Sequence, residues 1–219
     1  AVPSDGTAVM HDVFCYDNAG VPTLEILVWT SITARATALT LQNGVLVKSG
    51  DATRRYLGSY YSNTTGEIRD NPGTRDLWNY YNRVPRFMNA VTGDNSWTYT
   101  TDTWRNRNAG STDIKAVIGW QEVLVDVEVR CAVANSAGAA MVGVGVGVNS
   151  TSTNSAQIFV SIVTSTFGST ACKYRGYPAV GFNTFYWLER SQATGATTWY
   201  GDNGIDTAIQ SGINGVLEG

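Results

Sequence analysis

The sequence is poor in the residues that carry charge, fill helix surfaces and bind metals. Of its 219 residues only 15% are charged, and they include 3 lysines, 6 glutamates and a single histidine. Lysine and glutamate are common on exposed helix faces, so their scarcity disfavours a helical protein. The chain has instead 26 threonines, 16 asparagines and 23 glycines, which favour strands and turns.

Two classes of partner are disfavoured by the distribution of charge and hydrophobicity. The net charge is −3 and the 12 arginines are scattered, with Arg54–Arg55 as the one adjacent basic pair. Binding to phosphate backbones requires a basic surface, so we expect no nucleic-acid partner. No apolar run reaches the roughly 18 residues of a membrane-spanning segment, and we expect no membrane association.

The cysteines do not indicate a metal site. Cys15, Cys131 and Cys172 are odd in number, lie far apart and form no CxxC motif. With one histidine in the whole chain, we expect neither a metal nor another cofactor. Free, buried thiols are the favoured interpretation, and one disulfide with one remaining thiol is the alternative.

Apolar and polar residues alternate along almost the whole chain, which is the pattern of half-buried strands. Turn sequences such as Asn43–Gly44 separate the alternating segments. Many short strands with frequent turns predict an all-β fold, an antiparallel β-sandwich of jelly-roll type, in a single domain covering residues 1–219. The predicted strands are Val9–Tyr16, Leu24–Ser31, Gly44–Ser49, Thr53–Ser62, Arg86–Val91, Trp97–Trp104, Ile114–Ala134, Ala139–Asn149, Gln157–Thr166, Tyr174–Val180, Thr184–Ser191, Thr197–Gly201 and Thr207–Glu218.

Three local features refine this picture. In Trp120–Asn135, five residues from Val123 to Cys131 occupy one strand face, which predicts a core face opposite a solvated one. In the sequence MVGVGVGV, Gly143, Gly145 and Gly147 share a face, which predicts close approach of a large ring or of another backbone. The segment Asp76–Arg83 predicts one short helical turn, capped by Asp76 and ended by Pro85.

Enzymatic sites have weak support in the sequence. His11 lies in a predicted strand, and we expect it to face solvent or a neighbouring chain rather than to serve a Ser-His-Asp triad. Paired carboxylates could support glycoside hydrolysis, but aspartate in turns usually bonds its own backbone. We therefore expect no enzymatic activity. The carboxylates considered are Glu67, Asp70, Asp76, Asp202 and Asp206.

Sugar binding makes better use of the aromatic residues, which are 11% of the chain. Aromatic rings stack on the apolar faces of sugars, while Asn, Asp and Arg satisfy hydroxyl groups. The alternative is that rings at alternating positions belong to the core or to a subunit interface. The candidate glycan-binding residues are Trp78, Tyr80, Tyr81, Trp199 and Tyr200.

Three motifs in a fixed order carry a family resemblance. They are HDVFCYDNAGVPTLEILVWT (residues 11–30), TALTLQNGVLVKSGDATRRYLGSYYS (37–62) and LWNYYNRVPR (77–86). Together they resemble a family of tailed-bacteriophage virion proteins, structural or fibre-like, that carry an ATRRYLG signature followed by WNYYNRV-R. The resemblance extends over residues 11–135. From residue 139 onward the similarity is only in the general character of the sequence.

The resemblance implies a location and a role. It implies a non-enzymatic, oligomeric protein of the phage particle, assembled in the bacterial host cytoplasm, where free thiols persist. Because the chain starts at Ala1 with AVPSDG and no signal-peptide features, we interpret it as a C-terminal module or processed part of a longer virion protein.

The signature block itself is interpreted as architectural. In the predicted strand, Arg54, Tyr56, Gly58 and Tyr60 share one face, and Arg55, Leu57 and Ser59 share the other. Trp78 with Tyr81 is expected to cover an edge or end of the sheet. Arg83 and Arg86 are expected to pair with Asp70 or Asp76.

Three functions remain open at this point. The first is a homotrimeric tail-fibre or appendage module that binds a host surface glycan, since closed symmetry adds avidity to weak sites. The second is a capsid decoration or head-fibre protein that binds only other virion proteins. The third is a polysaccharide depolymerase.

Overall fold

The computed structural model describes residues 8–137, 140–159, 162–163, 167–205 and 208–219. Within these ranges the chain forms strands and one 3-10 turn at Arg107–Ala109, and no helix there is long and apolar enough to cross a membrane. The strands are β1 (Val9–Asn18), β2 (Val21–Val28), β3 (Leu39–Gln42), β4 (Val45–Lys48), β5 (Asp51–Ser62), β6 (Asp70–Asn71), β7 (Thr74–Arg75), β8 (Leu77–Asn79), β9 (Pro85–Val91), β10 (Ser96–Thr98), β11 (Arg105–Asn106), β12 (Asp113–Ile118), β13 (Val125–Asn135), β14 (Met141–Val148), β15 (Ile158–Phe159), β16 (Ile162–Val163), β17 (Gly168–Gly176), β18 (Gly181–Ser191), β19 (Thr197–Tyr200) and β20 (Gly212–Glu218).

The first part of the chain forms an antiparallel sheet of its own, in the order β2-β1-β5-β4-β3, with β8 also beside β5. The β1–β2 hairpin closes through the predicted turn, where the Asp17 carboxylate accepts a hydrogen bond from the Gly20 amide at 2.6 Å. Gly20 has a φ of +86°, a conformation that favours glycine. We call this the N-terminal sheet.

Strand pairing in the rest of the chain is that of a jelly roll. Eight strands taken in chain order are β9, β12, β13, β14, β16, β17, β18 and β20. The first pairs with the last, the second with the seventh, the third with the sixth and the fourth with the fifth. One sheet contains β9-β20-β13-β17 and the other β12-β18-β14-β16, so the chain is a long hairpin wrapped across two sheets. The predicted all-β, antiparallel, jelly-roll fold is confirmed.

The core lies between these two sheets. Along β13 the side chains of Val125, Val127, Val129, Cys131 and Val133 are buried, as the alternation predicts. They face a second buried row on β14, formed by Val142, Val144 and Val146. Alternation in β13 therefore sets the inward and outward faces of its sheet.

The glycines of β14 allow the predicted close approach. A Cβ atom on Gly145 would lie 2.7 Å from the side-chain oxygen of Asn154 and 3.1 Å from the Trp104 ring. A Cβ on Gly147 would overlap the Ser150 carbonyl oxygen. Both a ring and another backbone thus use the space left by the missing side chains.

The predicted helical turn at Asp76–Arg83 is absent. Leu77–Asn79 is instead strand β8, in which Trp78 pairs with Ser59 of β5. Asp76 is buried and accepts hydrogen bonds from the backbone and side chain of Arg69, both at 3.0 Å. The backbone N–H and C=O groups of this segment bond to the free edge of β5, so they do not need the partners that a helical turn would supply.

Several strand boundaries also differ from those predicted. The segment Ile114–Ala134 divides into β12 and β13, and of Trp97–Trp104 only the first two residues are in a strand, β10. Strand β3 was not predicted. The predicted boundaries at residues 139, 166 and 207 lie outside the described residues.

Buried single residues complete the comparison. Cys131 and Cys172 are buried free thiols, and burial raises the pKa of each to about 12. Cys15 is a free, half-buried thiol. The prediction for His11 is wrong, because it is fully buried and stacks on the Tyr60 ring at 4.5 Å.

The N-terminal sheet is joined to the jelly roll near the end of β12 and the start of β18. Tyr61 of β5 stacks on Phe182 of β18 at 4.0 Å, and the Phe182 amide donates to the Ile32 carbonyl at 3.0 Å. Trp78 lies between the two parts, and its indole N–H donates to the Glu218 carbonyl at 3.1 Å.

We predict that Gly119→Ala destabilises the fold at this junction. A Cβ on Gly119 would overlap the buried Trp78 ring, which has no room to move. Overpacking of this kind costs about 1–3 kcal/mol in the free energy of unfolding, to be measured by urea denaturation. Gly93→Ala is the control, since no heavy atom lies within 4 Å of its Cβ position. Equal stability of the two variants would contradict the prediction.

Candidate functional site

The structure separates the five predicted glycan-binding residues into buried and exposed rings. Trp78 and Trp199 are fully buried, and their indole N–H groups donate to the carbonyls of Glu218 and Tyr99, each at 3.1 Å. A ring without an exposed face cannot stack on a sugar, so these two tryptophans are core residues here.

The three tyrosines of that set retain some exposure but do not form one site. Tyr80 and Tyr81 contact each other edge to face at 5.0 Å. Tyr200 lies elsewhere and stacks on Phe167 at 4.2 Å. The predicted set is therefore divided between two regions, and neither region is the large cleft described below.

The arginines of the signature block make contacts within the N-terminal sheet and to the chain end. Arg54 donates to Glu25 at 2.6 Å and lies over the Tyr16 ring, and Arg55 donates to the Tyr81 hydroxyl at 2.7 Å.

Of the two later arginines, Arg86 has an acidic partner that was predicted and Arg83 has a different one. Arg86 lies 3.9 Å from the Asp70 carboxylate, as expected, and donates to the Gly219 carbonyl at 3.0 Å. Arg83 approaches Glu218 at 4.0 Å instead of Asp70 or Asp76.

The predicted faces of β5 are wrong beyond Tyr56 because the strand contains a bulge. Val13 pairs with Gly58 and Phe14 with Tyr56, so Leu57 is the extra residue. The bulge places Ser59 on the same face as Tyr56, and their hydroxyls are 2.6 Å apart. This change of face assembles a buried polar cluster that simple alternation would have split.

We call this cluster the Arg35 network. The Arg35 guanidinium donates to the Asp12 carboxylate at 2.8 Å, to the Tyr56 hydroxyl at 3.2 Å and to the Gly119 carbonyl at 2.5 Å. Ser59 donates to Asp12 at 2.6 Å. The Asp12 side chain is 1% exposed and that of Arg35 12%. Separating such a buried pair would leave an unpaired charge away from water, which costs free energy. The network therefore holds these side chains in fixed positions relative to one another.

Burial dominates the electrostatics of this network. It raises the pKa of Asp12 above its ordinary value, although Arg35 and the hydrogen bond from Ser59 act in the opposite direction. Burial likewise raises the pKa of the Tyr56 phenol. Tyr56 is therefore a neutral member of the cluster.

Above this network lies a cleft of about 660 Å³, between the N-terminal sheet and two loops of the jelly roll. The loop after β12 contributes Trp120, Gln121 and Glu122, and the loop after β17 contributes Tyr177. Arg35 lines the cleft from the N-terminal sheet side. The volume lies within the range of roughly 300–1,000 Å³ that is typical of small-molecule sites.

These cleft residues are not among the predicted site residues. All of them except Arg35 lie within the predicted strands Ile114–Ala134 and Tyr174–Val180, whereas the structure places these residues in the loops after β12 and β17. One available signal was that Trp120 and Tyr177 each follow a glycine directly, a residue that often interrupts a strand.

The candidate carboxylates do not gather in this cleft. Asp70 pairs with Arg75 at 2.9 Å, Asp76 pairs with Arg69, and Asp202 accepts a turn hydrogen bond from the Gly204 amide at 2.9 Å. Glu67 accepts from Asn63 at 3.3 Å, and Asp206 lies outside the described residues. Within the described ranges, no three His, Cys, Asp or Glu residues are placed to hold a metal ion.

Comparison with known proteins gives distant structural likenesses. No model of a protein family matches the chain, and no curated protein matches it. The chain is 11% identical to a chain of the infectious bursal disease virus Gt strain, covering 96% of this chain and 57% of that one, with a TM-score of 0.36. It is also 11% identical to a chain of the T13 particle of the same virus, covering 99% of this chain and 55% of that one, with a TM-score of 0.38.

An enzyme shows a weaker likeness. The exo-beta-1,3-galactanase of Phanerochaete chrysosporium is 13% identical over 99% of this chain and 52% of that one, with a TM-score of 0.23. The chain thus spans little more than half the length of these structures. At such low TM-scores, the fold assignment rests on the strand pairing given above.

We predict that Asp12 makes stability depend on pH. The folded protein holds the Asp12 proton to a higher pH than the unfolded chain, so this group's contribution to the free energy of unfolding falls as pH rises through its raised pKa. Asp12→Asn should remove that component. Urea unfolding between about pH 4 and pH 8 measures it.

The unsubstituted protein, measured over the same pH range, is the reference. A constant difference in unfolding free energy between the unsubstituted protein and Asp12→Asn across this pH range would contradict the prediction.

Proposed function

We propose that this chain is a non-enzymatic structural protein of a tailed-bacteriophage particle, a tail-fibre or appendage module. The observation that carries the proposal is the jelly-roll pairing of β9 with β20, β12 with β18 and β13 with β17. Jelly rolls recur in viral capsid and lectin domains. The motifs ATRRYLG and WNYYNRVPR add a resemblance to phage virion proteins.

We further propose that the module is a homotrimer assembled in the host cytoplasm. Apolar side chains are exposed on the jelly roll, and Met141 and Phe159 line the same groove beside Trp104. Exposed apolar groups that lie together are typical of protein interfaces. The low content of charged residues supports this, because packing against other copies then removes few ions from water.

The finer part of the proposal is that the module binds a host surface glycan. The cleft above the Arg35 network supports it, since aromatic rings, an amide and charged groups line one concave surface. These are the groups that sugar sites combine. A capsid decoration role, in which the chain contacts only other virion proteins, is the alternative that the experiments below separate from it.

We predict that the protein is a component of purified phage particles, on a tail appendage. Mass spectrometry of particles purified by density gradient should detect its peptides, and gold-labelled antibodies should mark the tail. Labelling of the head would support the decoration alternative. Absence from the particles would overturn the virion proposal.

We predict that the protein forms trimers in solution. Light scattering coupled to size-exclusion chromatography should give about three times the mass of one 219-residue chain. Met141→Asp, which replaces an exposed apolar side chain of this groove with a charged one, should weaken the trimer without unfolding the monomer. A monomer at high protein concentration would contradict trimer formation.

A further inference from the structure

We propose that the cleft above the Arg35 network binds a neutral oligosaccharide and discriminates against acidic sugars. This inference rests on the proposed glycan-binding function and names the class of glycan. Three features of the cleft support it: the exposed aromatic rings, the hydrogen-bonding groups and the balance of charge.

The rings supply the stacking surfaces. Tyr177 is 66% exposed, so an aromatic face is available to a ligand in the free protein. Trp120 is half-buried and lines the same cleft from the loop after β12. Rings on two separate loops can contact successive units of an oligosaccharide. The cleft volume of about 660 Å³ is large enough for more than one sugar unit.

The hydrogen-bonding groups are of both kinds. Among the described residues Nη1 of Arg35 has no hydrogen-bond partner, although Nε and Nη2 are engaged by the network. The Trp29 ring lies 4.5 Å from the guanidinium carbon and the Arg35 side chain is 12% exposed, so a sugar hydroxyl can reach Arg35 from the cleft side. The exposed side chains of Gln121 and Glu122 add an amide and an acceptor carboxylate at the rim.

The charge balance selects the class of sugar. The positive charge of Arg35 is matched by the Asp12 carboxylate at 2.8 Å, directly beneath the cleft. In the described part of the chain Glu122 has no ion pair, so its carboxylate is the unmatched charge of the cleft. An acidic sugar would bring a second negative charge beside Glu122, whereas a neutral sugar does not meet this repulsion.

Glu122 offers a clean substitution for testing the charge effect. Its backbone has a φ of +67°, a conformation that costs non-glycine residues energy. Glu122→Gln keeps the side-chain size and backbone preference and removes only the charge. This variant should raise the affinity for acidic sugars relative to that for neutral ones, because it removes the repulsion between two negative charges.

The experiment is calorimetric titration of the full chain with neutral trisaccharides of glucose, galactose and N-acetylglucosamine, and with trigalacturonic acid and sialyllactose. We expect at least one neutral trisaccharide to bind and the acidic ones to bind at least tenfold more weakly. Tyr177→Ala should weaken binding about tenfold through loss of one ring contact. Tyr81→Ala, an exposed tyrosine outside the cleft, is the matched control and should bind normally.

The possible outcomes separate the two levels of the proposal. Preference for neutral sugars that depends on Tyr177 but not on Tyr81 supports the inference. Preference for acidic sugars, or binding unaffected by Tyr177→Ala, overturns it while leaving glycan binding by the protein intact. Absence of binding to every probe overturns both this inference and glycan binding at the cleft, and the particle analysis still decides the virion role.

Discussion

The hydrogen bond from Arg35 to the Gly119 carbonyl connects the two parts of this structure, and the buried ion pair between Arg35 and Asp12 holds its donor in place. Asp12 belongs to the N-terminal sheet, and Arg35 reaches from the same part of the chain to the Gly119 carbonyl of the jelly roll. Removing both charges from water is costly, and the hydrogen bonds from Ser59 and to Gly119 compensate for that cost. The position of the cleft follows, because Gly119 immediately precedes the loop that forms one of its walls.

A second contact makes the same junction sensitive to small changes. Trp78 is fully buried against Gly119 and donates to the Glu218 carbonyl near the chain end. The aromatic side chain thereby links β8, the end of β12 and the end of β20. Trp78 of the signature segment is thus a packing residue, and the proposed ligand contacts fall on loops that lie outside that segment.

Much of the fold could be predicted from residue order because strands impose a period of two. The valines of β13 and the glycines of β14 lie on the faces that alternation assigns to them. Prediction failed where a partner from elsewhere in the chain changed the local outcome. Within the predicted helical turn Asp76–Arg83, Leu77–Asn79 forms strand β8 because β5 offers an edge, and the bulge at Leu57 moves Ser59 to the other face.

The sequence by itself determined the class of fold: threonine-rich alternation, turns containing asparagine and glycine, and the scarcity of lysine and glutamate leave little besides an antiparallel sandwich. Only the tertiary structure decided which aromatic rings are available. Trp78 and Trp199 are covered and Tyr177 is exposed, because exposure of a ring depends on which sheet packs over it. The Arg35 network likewise joins residues 12, 35, 56, 59 and 119, whose proximity arises from strand pairing over long separations and from one bulge.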